Sequence, residues 1–317
     1  MRDFGIHLNP MVKVYGAILV SVSVWGTAFL AIKTALEELG PMELTALRFL
    51  PLVPVSLAFL FFRWPKETKA ALIKHPWAVG AASFLLIPSY NWLLYAGQQK
   101  IPPNIAALII GSSPLLTYLI AVAVKHENFS RAKLLGILTA FSGLCLAVSM
   151  GPRARFHGAD LLGLLAIFGA AASAATYTII SHSLLRFYPP GLLMNLFIPL
   201  GSIPLLLTLP EHPVATVLGL GEPALISLLF LSLVATLVGF HTWFYALKRL
   251  PPSQVVVFVN LIPFLTMTIG YFFFNEPMNL YLFIGGALVV TGVYQTNRKI
   301  KNKEPKVHEN PVNRDPS

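Results

Sequence analysis

Ten apolar stretches of about 17 to 24 residues run through this chain, each near the roughly 20 residues a helix needs to cross a bilayer. They fall into two sets of five that resemble one another. Five is odd, so a unit repeated in one chain must enter the membrane in opposite orientations. The sequence therefore predicts an all-α integral membrane protein with ten transmembrane helices, arranged as two inverted five-helix repeats. Repeats of this kind build alternating-access carriers. The predicted spans are 14–33, 42–62, 76–96, 103–124, 134–150, 161–181, 191–209, 224–247, 254–274 and 280–296. A head (1–13) precedes the first repeat (14–150). The second repeat (160–296) is followed by a polar tail (297–317) carrying Pro305, Pro311 and Pro316, which is expected to be disordered.

Composition argues against a large soluble helical core. Apolar residues make up 56% of the chain and charged residues only 11%, against the quarter that is usual in soluble domains. The net charge of +10 is distributed to orient the protein, not to bind nucleic acid. With the N-terminus in the cytoplasm, 18 of the 23 Lys and Arg residues fall in inner segments and four (Lys33, Lys100, Arg153, Arg155) in outer loops. Only Arg48 lies inside a span. The positive-inside rule then puts both termini in the cytoplasm and the protein in the cytoplasmic membrane, with its basic residues against anionic headgroups.

The single cysteine, Cys145, lies in the fifth span. An intramolecular disulfide is impossible, and a thiolate metal cage is excluded. No metal or cofactor is expected. The first span follows Arg2 and Lys13 without a clear cleavage site, so it is expected to be retained.

The duplication is visible in the residues. At an offset of 149, Pro102-Pro103 meets Pro251-Pro252, Pro114 meets Pro263, Thr117 meets Thr266 and Glu127 meets Glu276. Gly136 meets Gly285, and Gly143 meets Gly292. An offset of 148 pairs Phe49-Leu50-Pro51-Leu52 with Phe197-Ile198-Pro199-Leu200, and 150 pairs Tyr95-Ala96 with Tyr245-Ala246. Pro, Glu and Gly at fixed spacing rarely match by chance.

Further residues carry a family resemblance. Trp25-Gly26-Thr27-Ala28-Phe29 with Lys33, then Gly40-Pro41 and Arg48-Phe49, resembles the opening of EamA-type members of the drug/metabolite transporter superfamily. Each half also closes in the family's manner, with a Tyr-Ala pair, a mid-span Pro, a Glu and spaced Gly. The resemblance covers roughly residues 14 to 296. It implies ten helices, inverted repeats and a central solute cavity, without naming the solute. Lys33 and Arg48 have no basic counterparts near Ser181 and Leu196, so one repeat alone would recognise any charge they bind.

Polar groups in hydrocarbon are costly and usually face a cavity or another helix. Trp25, Thr27, Tyr90, Asn91, Tyr95, Tyr177, His241 and Asn260 are the candidate lining of a central cavity, with Thr176 and Tyr245 nearby. The bland alternative is helix–helix hydrogen bonding. Asn91 aligns with His241, so both are expected to face a site on the repeat axis together with Asn260. Pro114 and Pro263 each free a backbone carbonyl and are candidate hinges. Arg48 lies about 7–9 Å from the outer end of its span at 1.5 Å per residue. It is expected to pair with Glu37, Glu38 or Glu43 and lock an outer gate; the alternative is that Arg48, like Lys33, binds a substrate charge. Glu127 and Glu276 are expected to act as acceptors near helix N-termini.

These features point to a carrier for small organic solutes, exporting amino acids or related amphipathic metabolites; uptake of a sugar or other metabolite is the alternative. An intramembrane enzyme would need an acidic orienter beside Ser112-Ser113 and His241, and no such residue accompanies them. No carboxylate lies at mid-membrane, so His241 is the one proton-coupling candidate; an exchanger or a facilitator fits equally. The expected partners are the solute, the bilayer and, if coupled, protons. A monomer or weak homodimer is expected, and no nucleic acid.

Overall fold

Proline marks where the helices begin. The structure is a computed structural model, and it describes residues 10–101, 106, 109–149, 161–265 and 280–298. In chain order the helices are α1 (Pro10–Ala35), α2 (Pro41–Arg63), α3 (Pro65–Lys74), α4 (Pro76–Lys100), α5 (Ser113–Ala123), α6 (Arg131–Ser149), α7 (Leu161–Leu184), α8 (Pro190–Ser202), α9 (Pro213–Leu218), α10 (Glu222–Leu247), α11 (Pro252–Leu265) and α12 (Leu280–Asn297). Among the described residues there is no strand. Pro41, Pro65, Pro76, Pro190, Pro213 and Pro252 open their helices, where the missing N–H would be unpaired in any case. Gly40 precedes α2, and the Glu43 carboxylate accepts the Gly40 N–H at 2.9 Å, closing that first turn.

Among the described residues, five helices are long and apolar enough to cross a membrane: α1, α2, α4, α7 and α10. α5, α8 and α11 are shorter apolar helices. Bulky apolar side chains point outward on a scale that water would not tolerate; Phe62, Trp77 and Leu207 are each more than 80% exposed (82%, 89% and 91%). Such a surface belongs in hydrocarbon, and the chain is a multi-pass membrane protein.

Inside the helices, proline sets the distortions. Pro51 lies in a 3₁₀ turn, Leu50–Leu52, within α2. Pro88 lies in a π-helical stretch, Leu85–Ser89, within α4. α10 carries a longer π-helical stretch, Phe230–Gly239. The fourth span, expected as one kinked helix, instead restarts at Ser113 after a turn, with Pro114 in the first turn of α5. In α11 the helix tightens to 3₁₀ over Val257–Leu261, immediately before Pro263. Proline lacks an N–H and crowds the preceding turn, which accounts for the restart at Pro114 and for the tightened turn before Pro263.

The two halves interlock. α1 packs along α10, and α4 packs along α7. α2 pairs with α8, α5 with α11, and α6 with α12. The α6–α12 pair is the tightest approach. A Cβ on Gly136 would strike Thr296 and the Gly292 carbonyl, and one on Gly143 would strike the Gly285 carbonyl at 2.5 Å. The early glycine of α6 thus meets the late glycine of α12, and the late one meets the early one. The two helices therefore run antiparallel, backbone against backbone. Two buried apolar clusters fill the bundle, and Trp25 packs against both.

Candidate functional site

Arg48 is the centre of a polar knot inside the bundle. It sits on α2 seven residues past Pro41, about 10 Å along the helix. The side chain is 4% exposed. Its Nε donates to Thr236 Oγ1 at 3.0 Å. Its Nη1 donates to Asn91 Oδ1 at 3.1 Å and to the Tyr95 hydroxyl at 2.6 Å. Tyr95 passes its own proton to Asn91 Oδ1 at 3.1 Å, and Thr236 passes its proton to the Leu231 carbonyl at 2.9 Å. Asn91 Nδ2 donates to the carbonyls of Leu86 and Ile87, each at 3.0 Å. Nε, both Nη1 protons and the Tyr95, Thr236 and Asn91 donors are thus satisfied, and among the described residues the two Nη2 protons of Arg48 are not.

The knot depends on the two distorted helices. The carbonyls of Leu86 and Ile87 both lie in the π-helical turn at Pro88, where the regular ladder is widened. Leu231 and Thr236 lie in the π-helical stretch of α10. Widened turns present carbonyls to side chains, and such turns are frequent at functional sites. Beside the knot, Trp25 Nε1 donates to the Ala235 carbonyl at 3.2 Å. Its ring meets Phe240 and Trp243 at centroid distances of 5.2 and 5.0 Å. Gly239 makes this approach possible, because a Cβ there would lie 2.6 Å from the indole nitrogen. Tyr90 meets Tyr177 edge-on at 6.5 Å.

The gate pairing expected for Arg48 is not formed. Glu43 is engaged with the Gly40 N–H, and Glu38 accepts the N–H of Gly221 at 2.9 Å. Glu37 is exposed, as is Lys33 at the end of α1. Among the described residues the ion pair is Lys133 with Glu127, and Arg48 faces no carboxylate. The guanidinium turns inward because three acceptors await it there, so it does not snorkel.

The other candidates are dispersed. No hydrogen bond among the described residues joins Asn91, His241 and Asn260. Asn91 is locked to Arg48. Asn260 is fully buried in α11, with neither amide atom hydrogen-bonded. His241 is exposed, 3.4 Å from where a Cβ on Gly191 would stand, beside Trp64. Repeat-related positions occupy equivalent places, not adjacent ones: Asn91 lies against α2 and His241 against α8. Thr27 and Thr176 donate to carbonyls of their own helices. The Tyr245 ring lies under the Arg249 guanidinium, 3.6 Å from its centroid. Thr236 escaped the sequence reading. Its signal was a threonine, aligned with Leu86, in an otherwise apolar run.

A second polar knot joins the halves. Glu127 Oε1 accepts the Ser253 N–H at 2.9 Å, and Oε2 accepts the Ser253 hydroxyl at 2.6 Å. Lys133 lies against the same oxygen. Glu127 thus caps a helix N-terminus as expected, but that of α11, in the other half of the chain. Glu276 lies outside the described residues.

The description of the EamA-like transporter family matches the chain twice, over residues 12–149 and 161–298. The chain belongs to the EamA-like transporter family. Its EamA relatives include an uncharacterized transporter of Archaeoglobus fulgidus, 29% identical over 90% of this chain and 99% of its own. A probable terminal-alkyne amino-acid exporter of Streptantibioticus cattleyicolor is 26% identical over 90% of this chain and 94% of its own. A probable amino-acid metabolite efflux pump of Salmonella typhimurium is 26% identical over 87% and 92%. The fold is shared with a crystal structure 21% identical in sequence, at a TM-score of 0.73 over 90% of this chain and 97% of that one. The two matched segments begin 149 residues apart, the offset at which the repeated Pro, Glu and Gly positions align.

Proposed function

We propose that this EamA protein is a secondary carrier that exports amino acids or related amphipathic metabolites across the cytoplasmic membrane by alternating access. Its ten spans form two inverted five-helix repeats with both termini in the cytoplasm. The observation that carries the reading is the exchange of partners between the halves. Under the repeat alignment α1 corresponds to α7 and α4 to α10, so the α1–α10 and α4–α7 pairs map onto each other. The pairs α2–α8, α5–α11 and α6–α12 map onto themselves. Gly136 against Gly292 becomes Gly285 against Gly143. An exchange of this kind is what a two-fold axis would produce, and the antiparallel run of α6 and α12 supports an axis in the membrane plane.

Relatives named as amino-acid exporters support the solute class and the direction. In this reading the solute binds where α2, α4 and α10 meet, between the Arg48 knot and the aromatic groups Trp25, Tyr90 and Tyr177. Asn260 and His241 contribute at other stages of the cycle, and the helix restarts at Pro114 and Pro263 are the hinges. The pure protein reconstituted in liposomes should accelerate counterflow of labelled phenylalanine or leucine over protein-free vesicles. Counterflow of sugars alone, or of no organic solute, would refute the reading.

A further inference from the structure

We propose that Arg48 is the anion-binding group of the carrier: its Nη2 side takes the carboxylate of the solute. The protein therefore carries carboxylates and discriminates against their amides. The inference rests on the carrier reading and deepens it. Three observations support it.

The first is charge. Arg48 is 4% exposed, and among the described residues its three engaged N–H groups meet only neutral oxygens, from Thr236, Asn91 and Tyr95. A buried cation without a counter-charge is strongly destabilising, and buried charges are normally paired. Glu38 and Glu43, the nearest carboxylates along the chain besides exposed Glu37, are engaged elsewhere. The charge thus awaits a partner that the described residues do not supply.

The second is direction. Arginine carries five N–H donors in a planar fork. Nε and both Nη1 donors are held by three side chains from two other helices. The two Nη2 donors make no hydrogen bond among the described residues. The knot therefore fixes the orientation of the fork and leaves its Nη2 donors without a partner among the described residues. A fixed pair of donors on a positive plane is the geometry that carboxylates prefer, and lysine cannot reproduce it.

The third is place. The knot ties α2 and α4 of one half to α10 of the other. It rests on the π-helical turns of α4 and α10, and Tyr90 precedes Asn91 on α4. A solute carboxylate arriving here would neutralise the cation at a junction of the repeats. Its apolar part would lie toward Trp25 and the Tyr90–Tyr177 pair. Neutralisation would also lower the cost of enclosing the charge, which favours occlusion only when solute is present.

The test compares phenylalanine with phenylalaninamide in liposomes of the full chain, as competitors of labelled phenylalanine counterflow. The acid should compete at least about 10-fold better than the amide, as expected for a charge-assisted contact. Arg48→Gln should reduce phenylalanine counterflow roughly 10- to 100-fold and bring the acid-to-amide ratio towards about one. Arg48→Lys should retain part of the preference. Equal competition by acid and amide in the unaltered protein overturns the proposal, whether or not the variants fold. So does an Arg48→Gln protein that folds and keeps the wild-type ratio, because the knot would then be structural only. If phenylalanine is not carried but labelled non-amino carboxylates are, and Arg48→Gln loses them selectively, the amino-acid reading fails and the anion site stands. If no carboxylate is carried at all, the anion site is wrong.

Discussion

Glu127 shows how much one side chain can join. Its two oxygens accept the first-turn N–H and hydroxyl of Ser253, while Lys133 balances its charge. Glu127→Ala would leave a buried N–H and a buried hydroxyl unpaired, at about 1–3 kcal/mol. A lower thermal midpoint in detergent should follow, and Ser253→Ala should add little to it, because both substitutions break one interaction. Next to it, burial pushes the His126 pKa below its ordinary 6.5, the Arg186 charge adds to the shift, and Glu127 opposes it. The unfolded chain thus takes up the proton at about 6.5, and the folded chain takes it up only at lower pH. The stability contribution is full above 6.5 and falls as pH drops below it. Thermal midpoints measured from pH 8 to 5 should decline below 6.5, and His126→Gln should flatten part of that decline. An unchanged profile in the variant would exclude His126 as a source.

Helices meet in two ways in this bundle, and glycine distinguishes them. In α12, a Cβ on Gly292 would overlap the Gly136 carbonyl and the Ala140 backbone, and neither can move without shifting α6. In α4, a Cβ on Gly80 would meet nothing within 4 Å. Gly292→Ala should therefore cost about 1–3 kcal/mol by overpacking. Gly80→Ala should be neutral or stabilising by up to about 1 kcal/mol, through the lower entropy of the unfolded chain. Thermal unfolding of the two purified variants checks the pair, and similar losses in both would contradict the close approach of α6 and α12. The turn after α5 is stretched in another sense. Lys125 has φ of 59°, a left-handed conformation. His126 N–H then bonds back to the Ala121 carbonyl at 2.8 Å, ending the helix. That turn aims Glu127 at α11.

For the whole molecule, the proposed topology can be tested independently of transport. In a Cys145→Ser background, Ala215→Cys on exposed α9 should react with an impermeant thiol reagent in intact cells. Glu67→Cys on α3 should react only after lysis. The reverse pattern would invert the protein, and labelling of both sites from outside would remove the odd number of spans between α3 and α9. The same odd number is what makes the repeats inverted, so this labelling also bears on the alternating-access reading.

Hydrophobic length, the placement of Lys and Arg, and Pro, Glu and Gly at a constant offset were enough to read a membrane protein of two related halves. These are local or periodic properties, and the bilayer acts on them segment by segment. Pro114 and Pro263 were legible as distortions, whereas the turn before Ser113 and the 3₁₀ stretch Val257–Leu261 came only from the structure. The partners of Arg48 were not legible. Its neighbours in sequence suggested Glu37, Glu38 or Glu43, yet its actual partners lie 43, 47 and 188 positions away. Which acceptor meets a buried guanidinium depends on how α2, α4 and α10 are packed and on π-helical turns that expose carbonyls. The alignment of Asn91 with His241 likewise suggested one shared site, yet Asn91 bonds Arg48 and His241 is exposed beside Gly191. Sequence fixes which positions are equivalent; only the packed bundle decides which of them touch.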